Sequence, residues 1–239
     1  MYGTGMWQYQ DLADKLDTEL DTYSYSLDEA VKLLEEDGWV YDASGNAYTE
    51  GVRYKKLDDG TLMPLEIEWL SSEANPVSEL LVTELQNNPD VAKAGIKINQ
   101  TVVTFSELLN YYYRSSDDAK YTVPTYHMFN MATGFTSIFD PATEFTTDED
   151  MIAQGYNRNY IRDEELDKLA KAIALTYPSD KEGYLDNFLA FQKKWNELLP
   201  NLPLYSNEYH DFFNEKLQNY NANSIWDLSY AILYANVTE

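Results

Sequence analysis

Cysteine is absent from the 239-residue sequence, and histidine occurs only twice. The first absence excludes disulfides, thiolate metal sites, a cysteine nucleophile and a lipidated cysteine within this sequence. The second leaves His127 and His210 with no further ligand at helical i, i+4 spacing, so a zinc site has no support and no cofactor or metal is expected. Glycine and proline are sparse, at 10 and 8 residues. No P-loop, dinucleotide fingerprint or G-x-S-x-G elbow occurs, and Gly3-Thr4-Gly5 lacks both a third glycine and a preceding strand. Basic residues are also few: 17 against 41 acidic ones, a formal net charge of −24. No nucleic acid partner is expected, because phosphate affinity comes from clustered Lys and Arg, and an anionic membrane surface is disfavoured for the same reason. The longest stretch without charge, Tyr121 to Phe139, is interrupted by Pro124, Asn130 and Gly134 and does not read as a transmembrane helix. The opening Met1-Tyr2-Gly3-Thr4-Gly5 has neither the basic nor the apolar region of a signal peptide.

What is present is an ordinary folded composition, 44% hydrophobic and 24% charged. Tyrosine, at 21 residues, outnumbers phenylalanine and tryptophan together. A ring with a hydroxyl suits a surface that grips a wet ligand, and it suits ordinary packing as well. No repeat, low-complexity tract or linker interrupts the chain, so residues 1–239 are expected to form a single domain. Helix starts are marked by capping boxes at Ser26–Glu29, Thr104–Glu107 and Ser179–Glu182, by Asn75-Pro76, and by Asp163. A break is expected at Asn88-Pro89. Asp59-Gly60 predicts a hairpin whose second arm alternates Leu65, Ile67 and Trp69 against Glu66 and Glu68, a strand with one wet face. Further strands are expected over 96–103 and 126–131, and extended chain over 202–205 and 211–213. Strands alternating with helices imply an α/β fold, with a mixed sheet flanked by helices.

The carboxylates are numerous but fall where helices begin. Asp148-Glu149-Asp150 and Asp163-Glu164-Glu165 therefore read as helix-start charges, although a carboxylate pair of a hydrolase acting on glycan or peptide stays open as the alternative. Asp42 to Asn46 imitates a calcium loop, but Ala47 stands at the glycine position and Arg53 at the bidentate one. The unusual segment is Phe129 to Pro141, uncharged up to Asp140, with small hydroxyls and Gly134. A strand end of this kind can pair with an extended ligand through its main chain, or it is a buried strand followed by a loop.

The order of segments resembles the C-terminal lobe of the extracellular solute-binding proteins, family 5, of oligopeptide and dipeptide ABC transporters. Tyr25-Ser26-Leu27-Asp28-Glu29-Ala30-Val31-Lys32-Leu33-Leu34-Glu35-Glu36-Asp37-Gly38-Trp39 is similar to the family's Y-x-x-x-x-A-x-x-L-L-x-x-x-G-W. The hairpin and strand 65–70, Ala94-Gly95-Ile96-Lys97-Ile98, Gly134-Phe135 to Asp140-Pro141, the Asp163 helix, and the 184–195 helix with Pro203-Leu204-Tyr205 follow in the family's order. The resemblance runs from about Tyr23 to the end.

It implies a periplasmic-binding-protein-like (type II) lobe that takes no part in catalysis. Such a lobe encloses a peptide or peptide-like ligand together with a second lobe lying outside this sequence, and delivers it to ABC transporter permease subunits. A monomer on the extracellular or periplasmic face is implied, anchored as a lipoprotein by a signal peptide and lipidated cysteine that are also outside. In the family's G-W-x-A-D-Y-x-D-P stretch, Gly134, Phe135, Asp140 and Pro141 match. The aspartate that holds a ligand ammonium has no counterpart, since Ser137 or Ile138 stands there. The implied ligand-binding residues are Thr133, Gly134, Phe135, Thr136 and Ser137, with Tyr205 and Asn207 after Pro203-Leu204 and Asn157 in a polar loop.

Overall fold

In the computed structural model, which describes residues 2–114, 117–134, 138–206, 210–223 and 226–238, the first helix, α1 (Trp7–Glu19), starts at Met6 with no capping side chain. Without that signal, helix recognition from sequence begins only at Ser26. Tertiary packing holds α1 instead, by burying Leu12 and Leu16 against Phe188 and Leu189. The other α-helices among the described residues all start on side-chain caps. Ser26 Oγ accepts from Glu29 N at 3.2 Å to open α2 (Leu27–Glu36). Gly38, at φ +91°, ends that helix in the left-handed region.

Contacts divide the described chain into two compact units, Tyr23–Ala132 and, together, the chain before Tyr23 and from Thr133 onward. A single domain was expected because nothing in the composition marks a boundary, and neither of these boundaries has the composition of a linker.

In the unit of residues 23–132, β1 (Tyr54–Lys56) and β2 (Leu62–Pro64) form the expected hairpin, with Gly60 at φ +85° in its turn. The second arm stops at Pro64. Leu65 then passes the chain to another sheet, its N–H donating to Arg53 O while its carbonyl accepts from Lys97 N. β3 (Glu66–Ser72) therefore belongs to a parallel sheet of order β4-β3-β5. Its wet face lasts for only half its length: Asn99 Nδ2 donates to both Glu66 and Glu68, whereas Trp69 to Ser72 are all buried between neighbouring strands. Asn75 Oδ1 caps α3 (Pro76–Leu81), which runs on into a π turn over Val82–Gln86. Asn88 makes the expected break and caps α4 (Pro89–Lys93). Then come β4 (Lys97–Val103), α5 (Phe105–Tyr113) on its Thr104 cap, and β5 (Met128–Phe129), which is shorter than the expected strand and half-buried. Parallel and antiparallel pairing both occur, in separate small sheets.

The other unit holds α6 (Glu149–Ala153), α7 (Glu164–Leu175), α8 (Lys181–Leu198), α9 (Leu228–Ala231) and the short pair β6 (Leu217–Gln218) and β7 (Asn236–Val237). Its core packs Leu166, Ala170 and Ile173 of α7 on Phe191 and Trp195 of α8. The cap of α8 lies one residue later than the Ser179 of the sequence signal, because Asp180 Oδ1 accepts from Gly183 N at 2.9 Å. A Cβ at Gly183 would collide with that carboxylate. The 202–205 and 211–213 segments run exposed and outside regular structure. No helix among the described residues is long and apolar enough to cross a membrane.

Arg53 is 3% exposed although it carries a full charge. Its Nε donates to Ala94 O and its Nη1 to Trp39 O, both at 2.9 Å, and Nη2 meets Glu35 Oε1 at 3.3 Å. The guanidinium lies 4.0 Å from the centre of the Tyr48 ring. One side chain thus ties the end of α2, the hairpin and the turn after α4. That turn needs Gly95 on two counts, its φ of +84° and the clash that a Cβ would make with Arg53 Cγ. Replacing Arg53 with Met strands two carbonyls and is expected to cost about 2 to 4 kcal/mol. Gly95→Ala is expected to destabilise the same unit, and urea unfolding at pH 7 checks both.

Candidate functional site

The candidate ligand segment follows β5 directly. Met131, Ala132, Thr133 and Gly134 are exposed and carry no regular structure. Open space surrounds the position that a Cβ of Gly134 would take, so another backbone can approach there. Phe135, Thr136, Ser137 and Asn207 lie outside the described residues. Beyond them the chain turns inward: Ile138 is exposed, Phe139 packs edge-on against Phe188 and Phe191, and Asp140 Oδ1 accepts from Ala142 N at 3.1 Å.

A cavity of about 150 Å³ is lined by Thr133 and Gly134 of this segment together with Phe191 and Trp195. Asp140 and Glu144 are the acidic residues of its lining. Glu144 has an exposed surface, yet enough protein surrounds its carboxyl for desolvation to raise its pKa, with Arg158 acting in the opposite direction. Burial, and after it the charge of Asp140, likewise raises the pKa of the Tyr184 hydroxyl. Glu144 carries no motif signal in the sequence and becomes visible only through its place in this lining.

The other expected site residues stand apart from the cavity lining. Tyr205 is 65% exposed on the extended segment after Pro203. Asn157 is 1% exposed, in the left-handed region at φ +48°, and gives both amide hydrogens away, to Thr146 O and Ile161 O at 2.8 Å each. In the structure it therefore ties a loop from within, where a ligand-facing position was expected. Burial is decided by the fold, and a polar residue in a loop gives no sign of it.

Next to that tie, Asp167 Oδ2 accepts from Thr147 N, Thr147 Oγ1 and Lys171 Nζ at 3.2, 2.7 and 2.8 Å. Burial pushes its pKa up, but the bonds from Lys171 and Thr147 outweigh this and hold it below the usual carboxylate range. Asp148 caps α6, Glu149 is held by both Nε and Nη2 of Arg162, and Asp163 caps α7. Each of these carboxylates has a structural task. His127 is likewise occupied, its Nδ1 accepting from Glu68 N at 3.0 Å. Among the described residues no group of three or more His, Asp or Glu side chains is placed to hold a metal.

Asn157→Ala is expected to destabilise by about 2 to 4 kcal/mol, because the carbonyls of buried Thr146 and half-buried Ile161 lose their donor, and Asn157→Asp by more. A depressed folded pKa stabilises above the unfolded value near 3.9, and that contribution is lost as pH falls through the folded value. Urea midpoints should therefore fall less steeply between pH 5 and 3 in Asp167→Asn than in the parent chain.

A scan against protein-family models gives no match, and no curated protein sequence matches. Solved structures do match. An oligopeptide-binding protein from Thermus thermophilus, complexed with a pentapeptide, aligns with TM-score 0.63 and 21% identity over 87% of this chain and 35% of its own. The oligopeptide-binding protein AppA from Bacillus subtilis, complexed with a nonapeptide, aligns with TM-score 0.62 and 19% identity over 99% of this chain and 46% of its own. A periplasmic oligopeptide-binding protein of an ABC transporter from Thermotoga maritima, with mannohexaose bound, gives TM-score 0.57 and 16% identity over 98% of this chain and 43% of its own. The chain thus spans less than half the length of each. The resemblance read from the sequence and the likeness of structure converge, and this chain has the α/β fold of the corresponding part of these oligopeptide-binding proteins.

Proposed function

We propose that this chain is the C-terminal ligand-binding lobe of a two-lobed solute-binding protein of an ABC importer. It captures oligopeptides or peptide-like solutes on the extracellular or periplasmic side and passes them to the permease subunits, acting as a monomer that the full-length form anchors as a lipoprotein. No catalysis is involved. The observation that carries this reading is the fold match to oligopeptide-binding proteins over 87% and 99% of the chain. The exposed main chain at Thr133 and Gly134, outside any sheet, supports it, because an extended ligand binds well to backbone groups that a sheet has not taken up.

In this reading Thr133 to Ser137 pair with the ligand main chain, and Tyr205 and Asn207 contribute a ring face and an amide. Asn157 acts from within by holding its loop. The hydrolase alternative needs two free carboxylates facing one cleft. Asp148 and Asp163 are occupied as caps and Glu149 by Arg162, so no observation favours it.

A desolvated ammonium needs a carboxylate or several acceptors, and Ser137 or Ile138 at the matching position offers at most one neutral oxygen. Calorimetric titration of the native full-length protein with matched acetylated and free peptides is expected to give affinities within about tenfold, or 1.4 kcal/mol. A stronger preference for the free amine would direct the search to Asp140, Glu144 or the second lobe. Binding of mannohexaose with no binding of any peptide would overturn the assignment of ligand class.

A further inference from the structure

The parallel sheet of residues 23–132 ends at Ser72, Val103 and Phe129, and the residue just past β5 is Asn130. Its side-chain oxygen is used twice. It accepts from the indole N–H of Trp69 at 3.1 Å and from Ser78 Oγ at 3.2 Å, and those partners are 0% and 4% exposed. Two buried donors thereby fix which way the amide faces, because turning it over would set its NH₂ against the indole N–H. Asn130 itself is only half-buried, and its Nδ2 has no acceptor among the described residues.

A donor fixed in this way awaits an acceptor from outside. It stands at the carboxyl end of parallel strands, where ligands of open α/β sheets collect. β5 is the outer strand in the order β4-β3-β5, and among the described residues no further strand pairs with it, so an extended chain has an edge to lie along. Met131, 39% exposed, offers an apolar contact beside it. The overall charge of −24 disfavours an anionic acceptor and leaves a neutral carbonyl. We propose that Asn130 Nδ2 donates a hydrogen bond to a main-chain carbonyl of an extended ligand, making the carboxyl end of this sheet a subsite that recognises amide carbonyls. The proposal rests on the peptide-capture reading and adds a residue to it.

Asn130→Asp separates the two uses of the side chain, since the carboxylate keeps an acceptor for Trp69 and Ser78 and removes the donor. The probe is acetylated, amidated penta-alanine, which carries no charge, titrated into the ¹⁵N-labelled 239-residue chain. The side-chain amide signal lost in the variant identifies Asn130. In the parent chain that signal is expected to shift on titration, and the variant is expected to bind about tenfold more weakly with its thermal midpoint preserved. If backbone amides shift while the Asn130 signal stays still, or the variant binds within twofold of the parent, the subsite is refuted and peptide capture stands. If the variant unfolds, the parent titration alone decides. If no amide shifts at all, the subsite is refuted for this chain, and peptide capture is then judged by the titration of the native full-length protein.

Discussion

The guanidinium of Arg53 is the interaction on which the unit of residues 23–132 depends. Helix ends and tight turns leave carbonyls without partners, and burying such groups unpaired costs more than a good hydrogen bond returns. Arg53 reaches two of them, at Trp39 and Ala94, and keeps its charge tolerable through Glu35 and the Tyr48 ring. Its backbone takes part as well: its N–H donates to Gly95 O, and its carbonyl accepts from Leu65 N, where the hairpin hands over to the central strand. The position of β3, and with it the carboxyl end that carries Asn130, follows from this anchor.

The same constraint operates in the other unit with different chemistry. Much of that chain lacks regular structure, so side chains supply what sheet neighbours would. Asn157 satisfies two loop carbonyls, Asp167 accepts from Thr147, and Asn196 both donates to and accepts from the backbone of Asp21. The stretch through Thr133 and Gly134 lies exposed instead. Main-chain groups left to solvent keep their hydrogen bonds to water and carry no burial cost.

The acidic excess has a structural distribution of the same kind. Carboxylates cap α6, α7, α8 and α9, where the helix dipole favours them, and others pair with Lys or Arg at the surface. A chain with a net charge of −24 can thus lack a catalytic carboxylate pair. The acidic residues Asp140 and Glu144 that line the cavity are the local expression of that charge.

By itself the sequence determined what depends on a few neighbouring residues. The caps at Ser26, Asn75, Thr104 and Asp163, the break at Asn88-Pro89 and the turn at Gly60 were legible because each depends on one or two residues, a capping side chain, a proline or a glycine, acting on backbone within four positions. The α/β class and the family resemblance followed from the order of those signals. Tertiary structure alone decided what depends on distant partners. Helix α1 has no cap and exists through contacts about 175 residues away, with Phe188 and Leu189. Alternation along β3 ends where neighbouring strands cover both faces. In the candidate site Gly134 was legible through its missing side chain, whereas Asn157 went inward, and Glu144 and Asn130 gained their surroundings only when the chain folded. The direction of an amide is set by which donors reach its oxygen, and Trp69 lies 61 residues from Asn130.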